Sequence, residues 1–136
     1  MSLAEHMVKT ADGIGLLLDW LGEGGKVVPQ KVADHRARIC FKCDYNVSPR
    51  WWENNVSPHW WEKSKTKIAH WIRAQLEIKH DMKLRAEHEN DLNMCKICGC
   101  LTRLKVWVPS SHILEHTSVK TMKEFPEWCW IPREEK

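Results

Sequence analysis

The sequence has little of what marks a membrane or secreted protein. Its longest apolar run, residues 13–18, is far shorter than the roughly 18 residues that a membrane span requires. The first residues lack a basic stretch ahead of an apolar segment, so no signal peptide is predicted. The net charge of +3 is small for 136 residues and does not favour a protein that coats nucleic acid. We therefore expect a cytoplasmic protein without a membrane segment.

Catalytic motifs are also missing. The sequence contains no H-E-x-x-H zinc motif, no phosphate-binding loop, no glycine-rich dinucleotide turn and no nucleophile elbow. Glu87, His88 and Glu89 stand together, but no second histidine follows at the spacing of a metal ligand. We expect a protein that is not an enzyme and predict no catalytic residue.

Cysteine is abundant, with six residues, four of which form two C-x-x-C pairs separated by residues 44–94. Two thiolates on one tight turn can bind the same tetrahedral ion at about 2.3 Å each. In a chain without a secretion signal, paired C-x-x-C turns indicate zinc rather than disulfides. The sequence therefore predicts a structural Zn²⁺ bound by Cys40, Cys43, Cys95 and Cys98. The basic side chains expected to offset the net −2 charge of such a site are Arg36, Arg38, Lys42 and Lys96.

Other ligand sets stay open. Cys100 and Cys129 could complete or replace the second pair, or bind a second, thiolate-bridged ion. A two-cysteine, two-histidine finger that combines the second pair with His112 and His116 is disfavoured, because Pro109 leaves almost no helix before His112. Without that finger, both histidines are expected on one exposed face of a short helical turn. Buried free thiols or disulfides are the alternative without metal, and a thioredoxin-like redox pair lacks the βαβ context that it needs.

The pattern around the cysteines points to a family. An arginine shortly before the first C-x-x-C pair, a later C-x-x-C-G-C run, a lysine, and a cysteine beside a terminal tryptophan together resemble small zinc-ribbon-like proteins encoded by phages and prophages. The resemblance covers about half of the chain and implies zinc, a phage context and the cytoplasm of a host cell. It supplies no reaction, and inhibition of a host defence system is one function that it suggests. The matching residues are Arg38, Cys40, Cys43, Cys95, Cys98, Gly99, Cys100, Lys105, Cys129 and Trp130.

A nine-residue duplication precedes the long polar middle of the chain. Residues 47–55 read VSPRWWENN and residues 56–64 read VSPHWWEKS. Ser48 and Ser57 are good N-caps, and the proline after each fits the first helical position, where no N–H is required. The valine before each serine stands at the staple spacing from the second tryptophan. We predict two helix starts, the first helix ending at residues 54–55 and the second continuing from Pro58 to about Glu89.

Tryptophan is the second abundant residue, and five of the nine tryptophans fall within residues 51–71 among basic side chains. Such a segment suits a protein interface, with either a host protein or a second copy as partner. The alternative is a nucleic-acid or nucleotide surface, since tryptophan faces stack on bases, and a third interpretation is plain core. Adjacent tryptophans on a helix diverge by about 100°, so we expect Trp51 and Trp60 to point away from the core. The predicted binding surface comprises Arg50, Trp51, Trp52, Trp60, Trp61, Lys67 and Trp71.

The remaining patterns define the expected fold. Leucine spacing predicts a helix over residues 3–21, and Pro29 predicts a second over residues 30–39. Alternation over residues 100–108, and again over 127–131, predicts two short strands. We therefore expect an α-rich α+β fold, with a long central helix and a small C-terminal β-ribbon organised by the four-cysteine zinc site. The expected single domain divides into residues 1–46 with the first knuckle, 47–93 with the duplication and long helix, and 94–136 with the second knuckle.

Overall fold

The protein is helix-rich and carries one very small sheet. The computed structural model describes residues 3–55 and 59–134. In chain order the elements are α1 (Leu3–Gly22), α2 (Gln30–Lys42), β1 (Asn46–Val47), α3 (Pro49–Asn55), α4 (His59–His80), a 3₁₀ turn (Glu89–Asp91), β2 (Met94–Cys95), α5 (Thr102–Lys105), α6 (Ser110–Glu115), α7 (Val119–Glu124) and α8 (Trp130–Glu134).

The two N-terminal helices form over the predicted residues, although Leu18, one of the leucines whose spacing predicted α1, is 41% exposed. Helix α1 buries Leu16, Leu17 and Trp20 in the main core, where the longer α4 packs against it. Helix α2 begins directly after Pro29 and continues three residues beyond its predicted end. Cys40 therefore lies in the last turn of α2. Among the described residues, no helix combines the length and apolar character needed to cross a bilayer.

Helix α3 confirms the helix start predicted from the first copy of the duplication. The Ser48 hydroxyl accepts a hydrogen bond from the Trp51 backbone N–H at 3.3 Å, as an N-cap should. The helix ends at Asn55, as predicted. In the second copy, Val56, Ser57 and Pro58 lie outside the described residues, so the predicted second cap is not tested.

Helix α4 is shorter than predicted. It ends at His80, and Asp81 follows with a positive φ of 51°, a conformation that breaks the helical path. The chain then folds back so that Leu84 is fully buried, with its backbone N–H donating to the Glu77 carboxylate at 2.8 Å. Burial of Leu84 explains why the helix does not continue to Glu89, even though the local sequence contains no proline or glycine to end it.

The prediction of a C-terminal β-ribbon is wrong. Residues 102–105 form α5, and the segment continues in turns whose N–H groups bond three or four residues back. All side chains from Leu104 to Val108 are buried, so the alternation did not separate a core face from a solvent face. Residues 127–131 form a turn followed by the start of α8 rather than a strand.

The sheet instead joins the two cysteine pairs. β1 and β2 are antiparallel, with Asn46 opposite Cys95 and Val47 opposite Met94. The Lys96 N–H extends the contact by donating to the Tyr45 carbonyl at 2.8 Å. The sheet therefore fixes the exit from the first pair beside the entry to the second without any bond to sulfur.

Helix α1 contacts the second cysteine turn backbone to backbone. A Cβ placed on Gly13 would lie 2.5 Å from the Gly99 carbonyl oxygen, and a Cβ on Gly99 would meet the Lys9 carbonyl well inside van der Waals contact. Gly99 also has a φ of +70°, which a side chain rarely adopts. By contrast, a Cβ on Gly15 would meet nothing within 4 Å. Of Gly13 and Gly15, only Gly13 is therefore required by packing.

We predict that alanine substitutions at Gly13 and Gly15 have opposite effects on stability. Gly15→Ala should stabilise the protein by about 0.5–1 kcal/mol, because alanine loses less conformational entropy in a helix. Gly13→Ala should lower the free energy of unfolding by more than about 1 kcal/mol, because the methyl group forces α1 away from Gly99. Chemical denaturation of the two variants in parallel measures both. Equal stabilisation by both substitutions would contradict the close contact between α1 and the cysteine turn.

Candidate metal centre

Five cysteines surround one small cavity. Its volume is about 30 Å³, and it lies between the end of α2, the second cysteine turn, α5 and the start of α8. An enclosed space of this size holds about one or two small particles such as an ion or a water molecule. All four predicted zinc ligands line it, and Cys129 is the fifth. The cysteines that line the cavity are Cys40, Cys43, Cys95, Cys98 and Cys129.

The remaining cysteine, Cys100, lies behind Cys98. Its buried thiol hydrogen-bonds with that of Cys98, which also hydrogen-bonds with Cys95. Cys100 lines a second small cavity together with Cys98 and Lys105. Of the two additional candidates named from the sequence, Cys129 therefore lines the cavity of the C-x-x-C pairs. Cys100 lies outside that cavity and contacts Cys98.

Several N–H groups point at the sulfur atoms. The indole N–H of Trp130 donates to Cys40 Sγ at 3.2 Å, and that of Trp128 lies 3.5 Å from Cys43 Sγ. The Ile97 backbone N–H donates to Cys95 Sγ at 3.4 Å. A neutral thiol is a weak acceptor, whereas a thiolate accepts strongly. The arrangement therefore favours negative charge on these sulfurs.

Without a cation in the cavity, the thiols resist ionisation. Burial, together with the neighbouring sulfurs, raises the pKa of Cys40 to about 12, although the Trp130 hydrogen bond acts in the opposite direction. Burial likewise raises the pKa of Cys129 to about 11. Cys98 is the exception, since hydrogen bonds from Cys100 and Cys95 lower its pKa. Of these thiols, Cys98 is therefore the one whose ionisation its neighbours favour.

Lys105 is the cation that faces this charge. Its side chain is fully buried, and among the described residues its ammonium has no oxygen or nitrogen atom as hydrogen-bond partner. Burial acts to lower the pKa of Lys105, but the nearby Cys100 and Cys98 raise it above its ordinary value. The ammonium also lies 5.8 Å from the centre of the Phe125 ring. A buried ammonium among sulfurs is stable only if some of them are thiolates.

The basic residues expected to offset the site's charge have other partners. Arg36 binds Glu134, and Arg38 binds Glu87 at 2.9 Å. Lys96 lies 4.2 Å from the centre of the Trp51 ring, and Lys42 lies 5.6 Å from that of Phe41. Lys105 is instead the cation that faces the buried cysteines.

The sulfurs converge without forming a tetrahedral set. Among the described residues, no three cysteine Sγ atoms all lie within 4.8 Å of one another. Four sulfurs at about 2.3 Å from one ion stand about 3.8 Å apart, so side-chain rotation toward the cavity would have to accompany binding. The thiol ligands suit Zn²⁺, and the cavity is large enough for one ion. The sulfur atoms are farther apart than in a tetrahedral zinc site.

A buried arginine holds the C-terminal helix over the cavity. The Arg36 guanidinium contacts the Glu134 carboxylate at 2.6 Å and donates to the Val106 and Val108 carbonyls at 3.1 and 2.7 Å. It also lies 4.2 Å from the centre of the Trp130 ring. Because Arg36 stands one helical turn before Cys40, this network positions Trp130 over the Cys40 sulfur.

The predicted binding-surface residues divide by burial. Trp52 is fully buried and packs with Met94, so it belongs to a small satellite core. Trp51 and Trp61 are half-buried, each in an edge-to-face contact with its neighbouring tryptophan. The residues that remain exposed are Arg50, Trp60, Lys67 and Trp71.

Histidines 112 and 116 do not share one exposed face, contrary to the sequence-based expectation. His112 is buried, with Nδ1 2.8 Å from a Glu23 carboxylate oxygen and Nε2 2.9 Å from the Leu16 carbonyl oxygen. His116 is half-buried, and the two ring centres are 4.1 Å apart. Both nitrogens of His112 thus face α1, which does not favour a finger formed with the second cysteine pair.

Sequence reasoning missed the residues that surround the sulfurs. Trp128 precedes Cys129 and could have been found by that adjacency, whereas Trp130 was named through the resemblance. Lys105 was identified only through the resemblance, because its position in an alternating segment suggested solvent exposure. The contact of His112 with Glu23 left no local signal, since α1 and α6 are far apart in the sequence.

Comparison with protein-family models, with curated proteins and with solved structures finds no match to this chain. The resemblance to phage-encoded zinc-ribbon-like proteins therefore depends on the cysteine pattern alone.

The Arg36–Glu134 pair predicts a pH-dependent contribution to stability. Partial burial acts to raise the pKa of Glu134, but the hydrogen bonds and charge of Arg36 outweigh it and hold the pKa below its ordinary value. Stability from this carboxylate is therefore full above its unfolded-state pKa and is lost as the pH falls through the folded-state pKa. Glu134→Gln should cost about 1–3 kcal/mol at pH 7, because Arg36 keeps its burial but loses its charged partner.

The difference between Glu134→Gln and the wild type should shrink between pH 7 and a pH below the folded-state pKa of Glu134, where the wild-type carboxyl is protonated. Glu115→Gln, at an exposed position of α6, is the control and should change stability little at either pH. A Glu134→Gln deficit that stays constant with pH would show that the carboxylate charge is not involved.

Proposed function

We propose that this chain is a zinc-stabilised, non-enzymatic protein-interaction module. The observation that carries the zinc assignment is the convergence of both C-x-x-C pairs on one small cavity faced by the buried Lys105. Cys40, Cys43, Cys95 and Cys98 are the proposed ligands. Four thiolates with one Zn²⁺ carry a net charge of −2, which the Lys105 ammonium halves.

Zinc would do structural work in this position. The two pairs are separated by residues 44–94, and an ion between them ties α2 to the second cysteine turn. Because the raised pKa values of Cys40 and Cys129 oppose thiolate formation without a cation, ion binding and thiol ionisation would be coupled. A site closed by four sulfurs leaves no open position for a substrate, which supports a structural role over a catalytic one.

Co²⁺ substitution of the full-length protein tests the ligand set. We expect wild-type protein to give the near-ultraviolet sulfur-to-cobalt charge-transfer band of a tetrathiolate site, and Zn²⁺ to displace the cobalt. Cys43→Ser and Cys98→Ser should each weaken cobalt binding at least about tenfold, because each removes one ligand.

The matched controls are Cys100→Ser and Cys129→Ser. If the proposed set is right, both retain the four-sulfur spectrum. Loss of one sulfur ligand in Cys129→Ser with full retention in Cys43→Ser would assign Cys129 in place of Cys43. A wild-type spectrum without a sulfur band would refute the zinc centre.

The proposed interaction surface is the outer face of α4. Trp60, Trp71 and Ile78 are 67%, 54% and 78% exposed. They lie on one side of the helix, opposite the face that buries Ile72 and Leu76 against the core. The stripe spans about 27 Å at 1.5 Å per residue. Solvent-exposed tryptophans aligned along a helix are typical of surfaces that bind another protein.

The spacing along this stripe favours a second copy of the chain as partner. Its positions alternate by four and three residues, the spacing of a coiled-coil seam. In an antiparallel pair of α4 helices centred on Ala69, Trp60 faces Ile78 and Lys67 faces Trp71 of the second copy. Lysine over a tryptophan ring is a favourable cation–π contact. The six stripe residues are Trp60, Ser64, Lys67, Trp71, Ala74 and Ile78.

Sedimentation or light scattering of the full chain measures this association. We expect the wild type to form a dimer at micromolar concentration, and Trp71→Glu to raise the dimer dissociation constant at least about tenfold, because it removes a central contact of the stripe. Val119→Glu is the control: it places the same charge at another exposed apolar position, on α7, and should leave the dimer intact.

A wild-type monomer at all concentrations would refute self-association. Nucleic-acid binding is the remaining alternative for the same face, given the exposed Lys63, Lys67 and His70. It would appear as quenching of tryptophan fluorescence by single-stranded DNA that weakens steeply with salt.

A further inference from the structure

We propose that Glu23, His112 and His116 form a second metal site that binds Zn²⁺ through one carboxylate and two imidazole nitrogens. One ligand atom from each residue lies within 4.8 Å of the other two. Among the described residues no other group of three histidine, cysteine or acidic side chains is this tight. The site uses none of the cysteines and is independent of the proposed function.

His112 is arranged as a metal-binding histidine. Its Nε2 lies 2.9 Å from the Leu16 carbonyl oxygen, which can only accept, so Nε2 carries the proton. The lone pair of the neutral ring is then on Nδ1, which faces a Glu23 carboxylate oxygen at 2.8 Å. At that distance the two atoms share a proton or a metal ion, and Zn²⁺ binding would displace the proton and widen the contact. A backbone carbonyl that fixes the second nitrogen is the usual support of a metal-bound histidine.

His116 supplies the second nitrogen. Its Nε2 is buried and has no hydrogen-bond partner among the described residues, and it lies 3.7 Å from the other Glu23 oxygen. The opposite nitrogen, Nδ1, lies 3.5 Å from an Asp19 carboxylate oxygen. Asp19 can therefore orient the ring while Nε2 faces the cluster. The two ring centres lie 4.1 Å apart, so the two imidazoles can contact the same ion.

The donor set selects the kind of ion. Two imidazole nitrogens and one carboxylate suit Zn²⁺ and related first-row ions, whereas Mg²⁺ and Ca²⁺ prefer oxygen ligands alone. Asp19 lies on α1 and Glu23 directly follows that helix, while His112 lies on α6 and His116 directly follows it. An ion between these pairs would fix the end of α1 to α6, while the fourth coordination position could hold water.

The test is a titration of full-length protein with Zn²⁺, in which binding is monitored by calorimetry and by the NMR signals of the histidine rings. We expect the ring signals of His112 and His116 to shift on addition of Zn²⁺ in the wild type. His116→Gln and Glu23→Gln should each weaken this binding event at least about tenfold. His70→Gln, at an exposed position of α4, is the control and should bind like the wild type.

The readouts separate this site from the cysteines. Co²⁺ in a nitrogen–oxygen site gives no sulfur charge-transfer band, so failure of the thiolate site would leave the histidine shifts unchanged. Glu23 is largely exposed, so Glu23→Gln should fold normally. Circular dichroism of the variant would check its folding. Histidine signals that do not respond to Zn²⁺, or variants that bind Zn²⁺ as tightly as the wild type, would overturn the proposal.

Discussion

The fold depends on the burial of several cysteine sulfur atoms next to the ammonium group of Lys105. Cys98 and Cys100 face Lys105, and each would be costly to bury alone in its charged form. Their electrostatic interaction offsets part of that cost and favours the packing of α5 against the second cysteine turn. The neighbouring elements are then placed by their approach to this point: α1 through the contact of Gly13 with Gly99, and α2 through Cys40.

Protein contacts other than sulfur bonds already bring the two cysteine pairs together. The β1–β2 ladder joins the chain just after Cys43 to Cys95, and Asn46 strengthens it by accepting from the Asn93 N–H at 2.8 Å. Arg36 holds α8 over the first pair. A metal ion at this position would therefore tighten an existing arrangement, whereas in an isolated zinc finger the ion creates the fold. Because these contacts already position both pairs, the sulfur atoms line one cavity even though they are farther apart than in a tetrahedral zinc site.

Local patterns predicted the elements whose signals are local. Helix α1, the start of α2 and the Ser48 cap of α3 follow from leucine spacing, proline and a serine side chain. The predicted cysteines do share a cavity, because tight C-x-x-C turns keep each pair together wherever the chain goes. Long-range burial was not predictable in this way. Alternation around Lys105 implied a solvent face, but the thiols provide a polar partner inside the core, so the lysine is buried.

The same limit applies to the histidines. His112 and His116 were visible as a pair in the sequence, but Asp19 and Glu23 lie about ninety residues earlier, and only the packing of α6 on α1 joins them. Two contact points, one at Gly13 and one at Glu23, thus hold α1 along its C-terminal half. Because α4 packs on this same helix, restraint of α1 also restrains α4. A rigid α4 would lose less conformational entropy than a mobile one if the proposed interaction surface associated with a second copy.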